Sequence, residues 1–344
     1  MRRFGSAAAS GAARGARPPV RLGIGDDAAL IALPPGRELA ITTDTALEGV
    51  DFALDRFPAE AIGWRCLAQN LSDLAAMGAS PIGFVLTAAA RPQTPLKTID
   101  GLCRGMARLA RDARCPLIGG DLSATAGPLT IAIAALGELP ARTAHRRAGA
   151  RPGDRLWVSG RLGDSAVALD WLLDGRPRRP ATMAQALRRA PPALRPALRT
   201  YLQPRPRLAL GRALRGVASA VIDISDGLVV DLRRLARASG VAVEVDAAAL
   251  PLGAGAAATA ALTSGEEYEL LFTAAAAGTA AVRRAARRAG VAVTCIGAVG
   301  RGRGVRIDGR PASDRGGFDH FGRAAAFDFA AACHYARRVE GRPR

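Results

Sequence analysis

The sequence predicts a mixed α/β (α+β) protein of two domains, and three observations lead to this prediction. The chain has 344 residues, which is more than one ordinary domain contains. Hydrophobic residues make up 49% of it, enough for two cores. Segments with the character of strands alternate with segments of helical period in both halves, and the turn at Arg151–Asp154 separates the halves. The predicted division is a disordered tail at 1–20, domains at 21–150 and 151–330, and a basic tail at 331–344.

In the first half, the best-defined element is a helix between Pro58 and Gly78. Proline is favourable at a helix start, glycine is a stop signal, and apolar residues recur between them every three or four positions. Asp73 falls on a face of this helix next to the apolar stripe. Further strands are predicted at Ala28–Leu33, Glu38–Thr43, Ile82–Ala88 and Leu129–Leu136, with one more that ends at Asp121, and a second helix at Leu96–Ala113.

The second half repeats this alternation. Apolar β-branched runs predict strands, and alanine- and arginine-rich segments of helical period predict helices. The predicted strands are Arg155–Ser159, Ala220–Ile224, Val241–Val245, Val291–Ala298 and Gly304–Ile307. The predicted helices are Asp164–Leu173, Ala184–Leu198, Leu208–Val217, Gly227–Ser239 and Ala275–Ala289.

The formal charge of +18 raises the question of nucleic-acid binding. Lys97 is the only lysine among the 48 basic residues, and the arginines are spread in pairs along the chain instead of forming one patch. Aromatic residues, which would stack on bases, make up only 4%. We therefore expect no nucleic-acid partner.

The apolar runs and the cysteines bear on location. Runs such as Ala28–Leu33 and Ile131–Leu136 are too short to cross a bilayer, so we expect no membrane partner. The first residues lack the apolar core of a secretory signal. The five cysteines are odd in number and form no Cys-x-x-Cys pair. This pattern is typical of reduced thiols, and we expect a cytoplasmic protein.

Carboxylates recur at the ends of the predicted strands, in loops of small residues. The segments are Gly25-Asp26-Asp27, Thr42-Thr43-Asp44, Gly119-Gly120-Asp121 and Asp223-Ile224-Ser225-Asp226-Gly227, with Asp73 as a fifth element. A turn or a helix cap explains any one of them. Their recurrence favours one shared site, because rigid folds present functional groups on such loops.

If these acids converge, they require cations. Two unit charges at about 4 Å repel by roughly 4 kcal/mol at an effective dielectric of about 20. Aspartate oxygens and hydroxyl groups suit Mg²⁺, which usually carries phosphates with it. The spacing Asp223-x-x-Asp226-Gly227 differs from an EF-hand calcium loop, and a glycosidase needs only two carboxylates. We therefore predict that Asp26 and Asp27 hold magnesium against phosphate.

Phosphate groups also need hydrogen-bond donors. The backbone N–H groups of Gly119-Gly120, of Gly23–Gly25 and of the predicted helix start at Gly227 can supply them. The sequence has no Gly-x-x-x-x-Gly-Lys-Ser/Thr loop, and its one lysine lies in no such context. P-loop NTPases and protein kinases are excluded on that ground, because both need a motif lysine. Arg147 is a candidate for the missing positive charge.

The order of these motifs resembles the thiamine-monophosphate kinase family from about Leu22 to Phe321. The ten-residue string Asn70–Ala79 and the string Asp223–Leu228 are specific, whereas Gly-Asp-Asp alone would be a weak signal. The other matching segments are Gly23–Asp27, Thr42–Thr45, Gly119–Asp121, Glu266–Leu270 and Phe318–Phe321.

This resemblance implies an enzyme that transfers the γ-phosphoryl group of ATP directly, in line, to thiamine monophosphate, giving thiamine diphosphate. It implies ATP as co-substrate, several Mg²⁺ ions and a homodimer. The implied fold is that of the aminoimidazole ribonucleotide synthetase and selenophosphate synthetase superfamily. Its N-terminal domain has a mainly antiparallel sheet flanked by helices, which pairs in the dimer, and its C-terminal domain is α/β.

The resemblance also implies site residues, position by position. The magnesium ligands would be Asp27, Thr42, Thr43, Asp44, Asp73, Asp121, Asp223 and Asp226. ATP would be bound by Gly120, Asp121, Arg147 and Ser225, and thiamine monophosphate by Asp51, Glu266 and Phe318. No catalytic side chain is expected, because the accepting phosphate oxygen is already an anion and needs no strong general base.

Two departures from the family pattern concern the acceptor. Family members usually have Gly-x-His-Phe where this chain has Gly49-Val50-Asp51-Phe52. Asp51 would repel a nearby phosphate by about 1–4 kcal/mol unless a magnesium ion intervenes. The family's Gly-Gly-Glu-Asp-Tyr-Glu is replaced by Ser264-Gly265-Glu266-Glu267-Tyr268-Glu269. Two alternatives stay open: a superfamily paralogue that uses ATP to phosphorylate or activate a different small molecule, and a nucleotide-binding protein without catalysis.

Overall fold

The computed structural model describes residues 19–173 and 182–313. It confirms the predicted mixed α/β architecture, with helices that accompany two main sheets. Apart from residues 19–20, the predicted tails at 1–20 and 331–344 lie outside the described residues. The first elements are β1 Val20–Leu22, β2 Leu30–Ile31, β3 Arg37–Leu47, α1 Ala59–Ala76, β4 Ser80–Ala90, α2 Leu96–Ala113, β5 Leu117–Ala124 and β6 Thr130–Pro140.

The N-terminal sheet has four strands in the order β3-β6-β4-β5, and β1 pairs with β2 in a separate hairpin. The pairs β3–β6 and β6–β4 are antiparallel, and β4–β5 is parallel. Apolar side chains alternate along β6, where Ile131, Ile133 and Ala135 are buried. These residues face the apolar core formed with α1 and α2, so the other face of the sheet is left uncovered by these helices.

The C-terminal sheet has seven strands in the order β13-β12-β9-β11-β7-β10-β8, and only β9–β12 is a parallel pair. Among the described residues, no helix has the length and apolarity needed to span a membrane. The elements are β7 Asp154–Ser159, α3 Asp164–Leu173, α4 Met183–Arg189, α5 Arg195–Leu202, α6 Leu208–Ala213, β8 Ala220–Asp223, α7 Leu228–Ser239, β9 Ala242–Val245, α8 Ala258–Thr263, β10 Leu270–Ala275, α9 Thr279–Ala289, β11 Val293–Gly300, β12 Gly304–Ile307 and β13 Arg310–Pro311.

Helix α1 is buried between these two parts, with fourteen of its eighteen residues shielded from solvent. Leu67 and Leu71 pack in the core of the N-terminal sheet, which also contains Tyr201 from α5. At its other end, Ala75 packs with Leu210 of α6 and with residues of the C-terminal sheet. The helix therefore contacts both halves of the molecule.

Two of the acidic segments lie within strands, and the prediction that they follow strand ends was wrong. Strand β3 continues to Leu47 and pairs with β6 over its full length, so Thr42–Asp44 lies inside it. Strand β5 continues to Ala124, which places Asp121 inside that strand. Threonine has a high strand propensity, and a complete ladder of backbone hydrogen bonds outweighs the turn preference of a single aspartate.

Two other differences concern the second half. The predicted helix at Ala184–Leu198 is two helices, α4 and α5, because Pro191 and Pro192 interrupt the backbone hydrogen bonding between them. Strand β10 was not predicted. Five of its six residues are buried, so the alternation that usually reveals a strand is absent from its sequence.

We predict that Gly105→Ala destabilises the protein. Helices α1 and α2 cross so closely that a Cβ at Gly105 would overlap the carbonyl oxygen of Glu60. Overpacking of this kind costs about 1–3 kcal/mol. Urea denaturation should show a lower free energy of unfolding for this variant.

The matched control is Gly278→Ala, at a half-buried glycine with negative φ and no atom within 4 Å of its would-be Cβ. This substitution should leave stability within about 1 kcal/mol of the wild type. Equal free energies of unfolding for the two variants would show that the helix crossing tolerates the extra carbon.

Candidate active site

Helix α1 joins the two sheets at the acidic residues. The Thr42 hydroxyl, on β3, donates a hydrogen bond to the carboxylate of Asp73 on α1. The neighbouring Ser72 hydroxyl donates to Asp223 at the end of β8, with 2.7 Å between the oxygens. Two adjacent residues of one helix therefore contact both sheets. Three of the predicted magnesium ligands, Thr42, Asp73 and Asp223, meet here as expected.

Burial and mutual repulsion perturb the carboxylates of this cluster. Burial, followed by the charges of Asp73, Asp226 and Asp51, raises the pKa of Asp44 to about 7. Burial and the Asp73 charge raise the pKa of Asp223 to about 8, although the Ser72 hydrogen bond opposes this shift. Such shifts indicate an excess of negative charge in a poorly solvated place.

The donor set suits a hard divalent cation, because it consists of aspartate oxygens and hydroxyl groups. Thr42 and Ser72 donate to two of these carboxylates directly. Among residues 19–173 and 182–313, no three His, Cys, Asp or Glu side chains converge closely enough to enclose an ion as they stand. Asp73 and Asp223 are each hydrogen-bonded to a hydroxyl group, and the magnesium ligands named in the sequence analysis stay predictions.

The loop between β8 and α7 has its shape set by Asp231, a residue that sequence reasoning missed. Its Oδ2 accepts the backbone N–H groups of Ser225 at 3.0 Å, Asp226 at 3.0 Å and Gly227 at 3.2 Å. Arg234 bridges Asp231 at 2.7 Å and Asp226 at 2.5 Å. Of the helix-start N–H groups that were expected to bind phosphate, that of Gly227 is therefore already occupied by an internal carboxylate.

Thr43 and Asp121 lie on the other face of the N-terminal sheet. Asp44 and Gly120 lie on the same face of the sheet as the buried Ile133, the face that packs against α1 and α2. Asp121 follows Gly120 in β5 and therefore lies on the opposite face, because side chains alternate along a strand. Thr43 donates its hydroxyl to the Ile133 carbonyl at 3.0 Å. The sheet therefore separates these two predicted ligands from the Asp73 cluster within one chain.

The remaining predicted ligands of metal and ATP are more dispersed. Asp27 is exposed in the β1–β2 hairpin, where its N–H group donates to Asp26 at 2.9 Å. Burial raises the pKa of Asp73, and the positive charge of Arg147 acts in the opposite direction. Arg147 is exposed, and it lies close enough to Asp73 for this electrostatic interaction. A Cβ at Gly120 would overlap the Leu86 carbonyl oxygen, so glycine is required there for strand packing.

Glu266 lies in a strained loop that faces α1. Its φ is 63° and that of Tyr268 is 52°, values that cost of order 1–3 kcal/mol each outside glycine. Arg65 donates to one carboxylate oxygen of Glu266, and the Tyr201 hydroxyl donates to the other at 2.9 Å. The backbone N–H of Glu266 donates to the Ser225 carbonyl at 2.7 Å. The two C-terminal loops of the predicted site are therefore in direct contact.

Comparisons with known proteins identify the family of the chain. Two family models match the chain, AIR synthase related protein, N-terminal domain, over residues 25–139, and AIR synthase related protein, C-terminal domain, over residues 151–310. Thiamine-monophosphate kinase of Salmonella typhimurium is 39% identical over 320 residues, which cover 90% of this chain and 94% of that protein. The chain belongs to the thiamine-monophosphate kinase family.

Solved structures of the thiamine-monophosphate kinase family have the same fold. The crystal structure of the Stenotrophomonas maltophilia K279a kinase is 39% identical, has a TM-score of 0.77, and is matched over 86% of this chain and 93% of its own. AaThiL complexed with AMPPCP and TMP is 29% identical, with a TM-score of 0.73 and matched shares of 84% and 89%.

The departures from the thiamine-monophosphate kinase pattern have structural explanations. Asp51 accepts the backbone N–H of Leu47 at 2.7 Å, so its carboxylate closes the turn after β3. Glu267 accepts the Ser264 hydroxyl at 3.1 Å and the Ser165 hydroxyl at 2.6 Å. Ser264 and Glu267, which both depart from the family pattern, therefore contact each other. The other predicted acceptor residue, Phe318, lies outside the described residues.

We predict that Asp44→Asn changes how stability depends on pH. The folded protein keeps the proton of Asp44 up to about pH 7, whereas the unfolded chain releases it near 3.8. Between these values the folded state binds more protons, so rising pH lowers wild-type stability by up to about 1.4 kcal/mol per pH unit for one group. The Asn variant should gain stability over the wild type between pH 4 and pH 7.

Urea denaturation in metal-free buffer at several pH values measures this difference. The exposed Asp112 on α2 supplies the control, because Asp112→Asn should follow the wild type at every pH. Parallel curves for wild type and Asp44→Asn would contradict the burial and repulsion inferred for Asp44.

Proposed function

We propose that the protein catalyses ATP-dependent phosphorylation of thiamine monophosphate to thiamine diphosphate. The observation that carries this proposal is the contact network in which α1 brings Asp73, Asp223 and the Glu266 loop together. Family membership at 39% identity over 90% of the chain supports it. The complex of the relative AaThiL with AMPPCP and TMP supports an ATP site and an acceptor site on this fold.

The reaction is the in-line attack of an acceptor phosphate oxygen on the γ-phosphorus of ATP, with ADP as leaving group. The attacking oxygen is an anion, so the residues have to position two polyanions instead of removing a proton. Arg147 supplies positive charge near Asp73. The Ser225 loop is held in place by Asp231 and by the Glu266 backbone, so phosphates bound there would meet a fixed surface.

We further propose that Mg²⁺ is bound by carboxylates of the inner cluster. Asp44, Asp73 and Asp223 would hold it, with Thr42 and Ser72 as hydroxyl neighbours. Magnesium held by these residues would supply positive charge that neutralises the transferred phosphoryl group. The raised pKa values of Asp44 and Asp223 support this proposal, because carboxylates that are forced together gain most from a cation.

We propose a homodimer that forms through the uncovered face of the N-terminal sheet. Leu39 and Ile41 of β3 point to this face, and Ile41 is 65% exposed. Thr43 and Asp121 share the face, and three strand spacings, about 14 Å, separate β5 from β3. A second copy of the chain would cover the apolar residues and place Thr43 and Asp121 of both protomers at the interface.

A cytoplasmic location remains the expected one. Cys66 and Cys115 are buried free thiols, and burial raises the pKa of both to about 12. They are therefore protonated and unreactive at neutral pH, as expected of reduced structural cysteines.

The activity is tested with purified protein, ATP, Mg²⁺ and thiamine monophosphate, with products resolved by chromatography. We predict thiamine diphosphate only when magnesium is present. Asp73→Asn, which keeps an acceptor for Thr42 but removes the charge, should lower kcat by about 10²–10³-fold. Asp112→Asn is the control and should leave kcat unchanged. If the wild-type protein binds Mg·ATP in calorimetry but forms no thiamine diphosphate, the protein is a paralogue with a different acceptor.

Whether Asp121 contributes to the site of the other protomer is tested by mixing two inactive variants, Asp73→Asn and Asp121→Asn, and allowing subunits to exchange. If Asp121 acts across the dimer, each heterodimer contains one intact site. An equimolar mixture should then recover about a quarter of wild-type activity. A mixture that stays inactive while heterodimers are detected by mass spectrometry would place both residues in the same protomer's site.

A further inference from the structure

Arg65 is a buried charge that neither the motifs nor the proposed reaction accounts for. It lies on α1 and is only 5% exposed. Its guanidinium donates to the Glu266 carboxylate and to the backbone carbonyl of Tyr201. It also lies over the Tyr201 ring, 4.0 Å from the centroid. A buried arginine with this many partners is held in one orientation.

The partner of Arg65 is the strained loop. Both carboxylate oxygens of Glu266 are occupied, one by Arg65 and one by the Tyr201 hydroxyl at 2.9 Å. Glu266 and Tyr268 both have φ in the left-handed region. A loop with two such residues persists only where its surroundings hold it. Arg65 and Tyr201 are the side chains that hold the Glu266 end.

Helix α1 also contacts Asp223, one of the proposed magnesium ligands. Ser72, which donates to Asp223, follows Arg65 by seven residues, about two turns or 10 Å along the axis. Asp223 pairs with Leu270 in the sheet, just beyond the strained loop. Helix α1 therefore sets the distance between the Asp223 carboxylate and the Glu266 loop.

We propose that Arg65 is a positioning residue for the acceptor. It acts through Glu266, supported by Tyr201, and fixes where the acceptor lies relative to the phosphate end of the site. This inference rests on the proposed function and on the prediction that Glu266 binds thiamine monophosphate. The interaction with ATP depends on other residues, so loss of Arg65 affects the acceptor first.

The test measures kcat and the KM values for thiamine monophosphate and for ATP in Arg65→Lys, Arg65→Met and Tyr201→Phe. Tyr201→Phe keeps the ring beneath Arg65 and removes only the hydroxyl bond to Glu266, so it is the variant most certain to fold. We expect it to raise KM for thiamine monophosphate about 3–10-fold and to leave KM for ATP within about 2-fold.

Arg65→Met should raise KM for thiamine monophosphate by at least about 30-fold, and Arg65→Lys should restore part of that loss by keeping one charged donor. The control is Arg37→Lys, which alters an ion pair with Glu138 at 3.1 Å at the far ends of β3 and β6. It should change neither KM. Thermal unfolding of each variant identifies any general loss of structure.

The outcomes separate this inference from the proposed function. Active wild type with a selective rise in the acceptor KM supports the positioning role. Active wild type whose variants lose stability alone, or whose two KM values rise together, overturns the inference and leaves the kinase proposal intact. Wild type that makes no thiamine diphosphate overturns the proposed function and this inference with it.

Discussion

The burial of α1 between the two sheets is the constraint on which the site depends. A polar side chain on the buried part of such a helix is shielded from water and is stabilised by a partner within the protein. Arg65 finds Glu266, and Ser72 finds Asp223. Each pair joins residues that are at least 150 positions apart in the chain. Through these two contacts, the helix places the two C-terminal loops at a set distance.

The acidic cluster is a local exception in a chain of formal charge +18. Its carboxylates are poorly solvated, and the raised pKa values of Asp44 and Asp223 express the free energy that this arrangement costs. Folds keep such unfavourable arrangements where a ligand relieves them. A cation that binds here therefore gains both direct attraction and the relief of repulsion already present.

Local sequence patterns predicted much of the site. The parts that they did not predict were missed for one shared reason. The strings around Asp73 and Asp223 identify residues that the structure brings together through Thr42 and Ser72. Asp231 escaped notice because its role depends on the backbone geometry of the preceding loop. Hydrogen bonds of this kind leave no periodic signal in the sequence.

The sequence by itself determined the mixed α/β class, the long helix α1 and the family, because these depend on short-range periodicity and on contiguous motifs. The tertiary structure alone decided that Thr42 and Asp44 face the cluster while Asp121 faces away, since the face of a strand residue depends on pairing register. It also decided the partner of Arg65, because a contact across 201 positions arises only when two sheets pack on one helix.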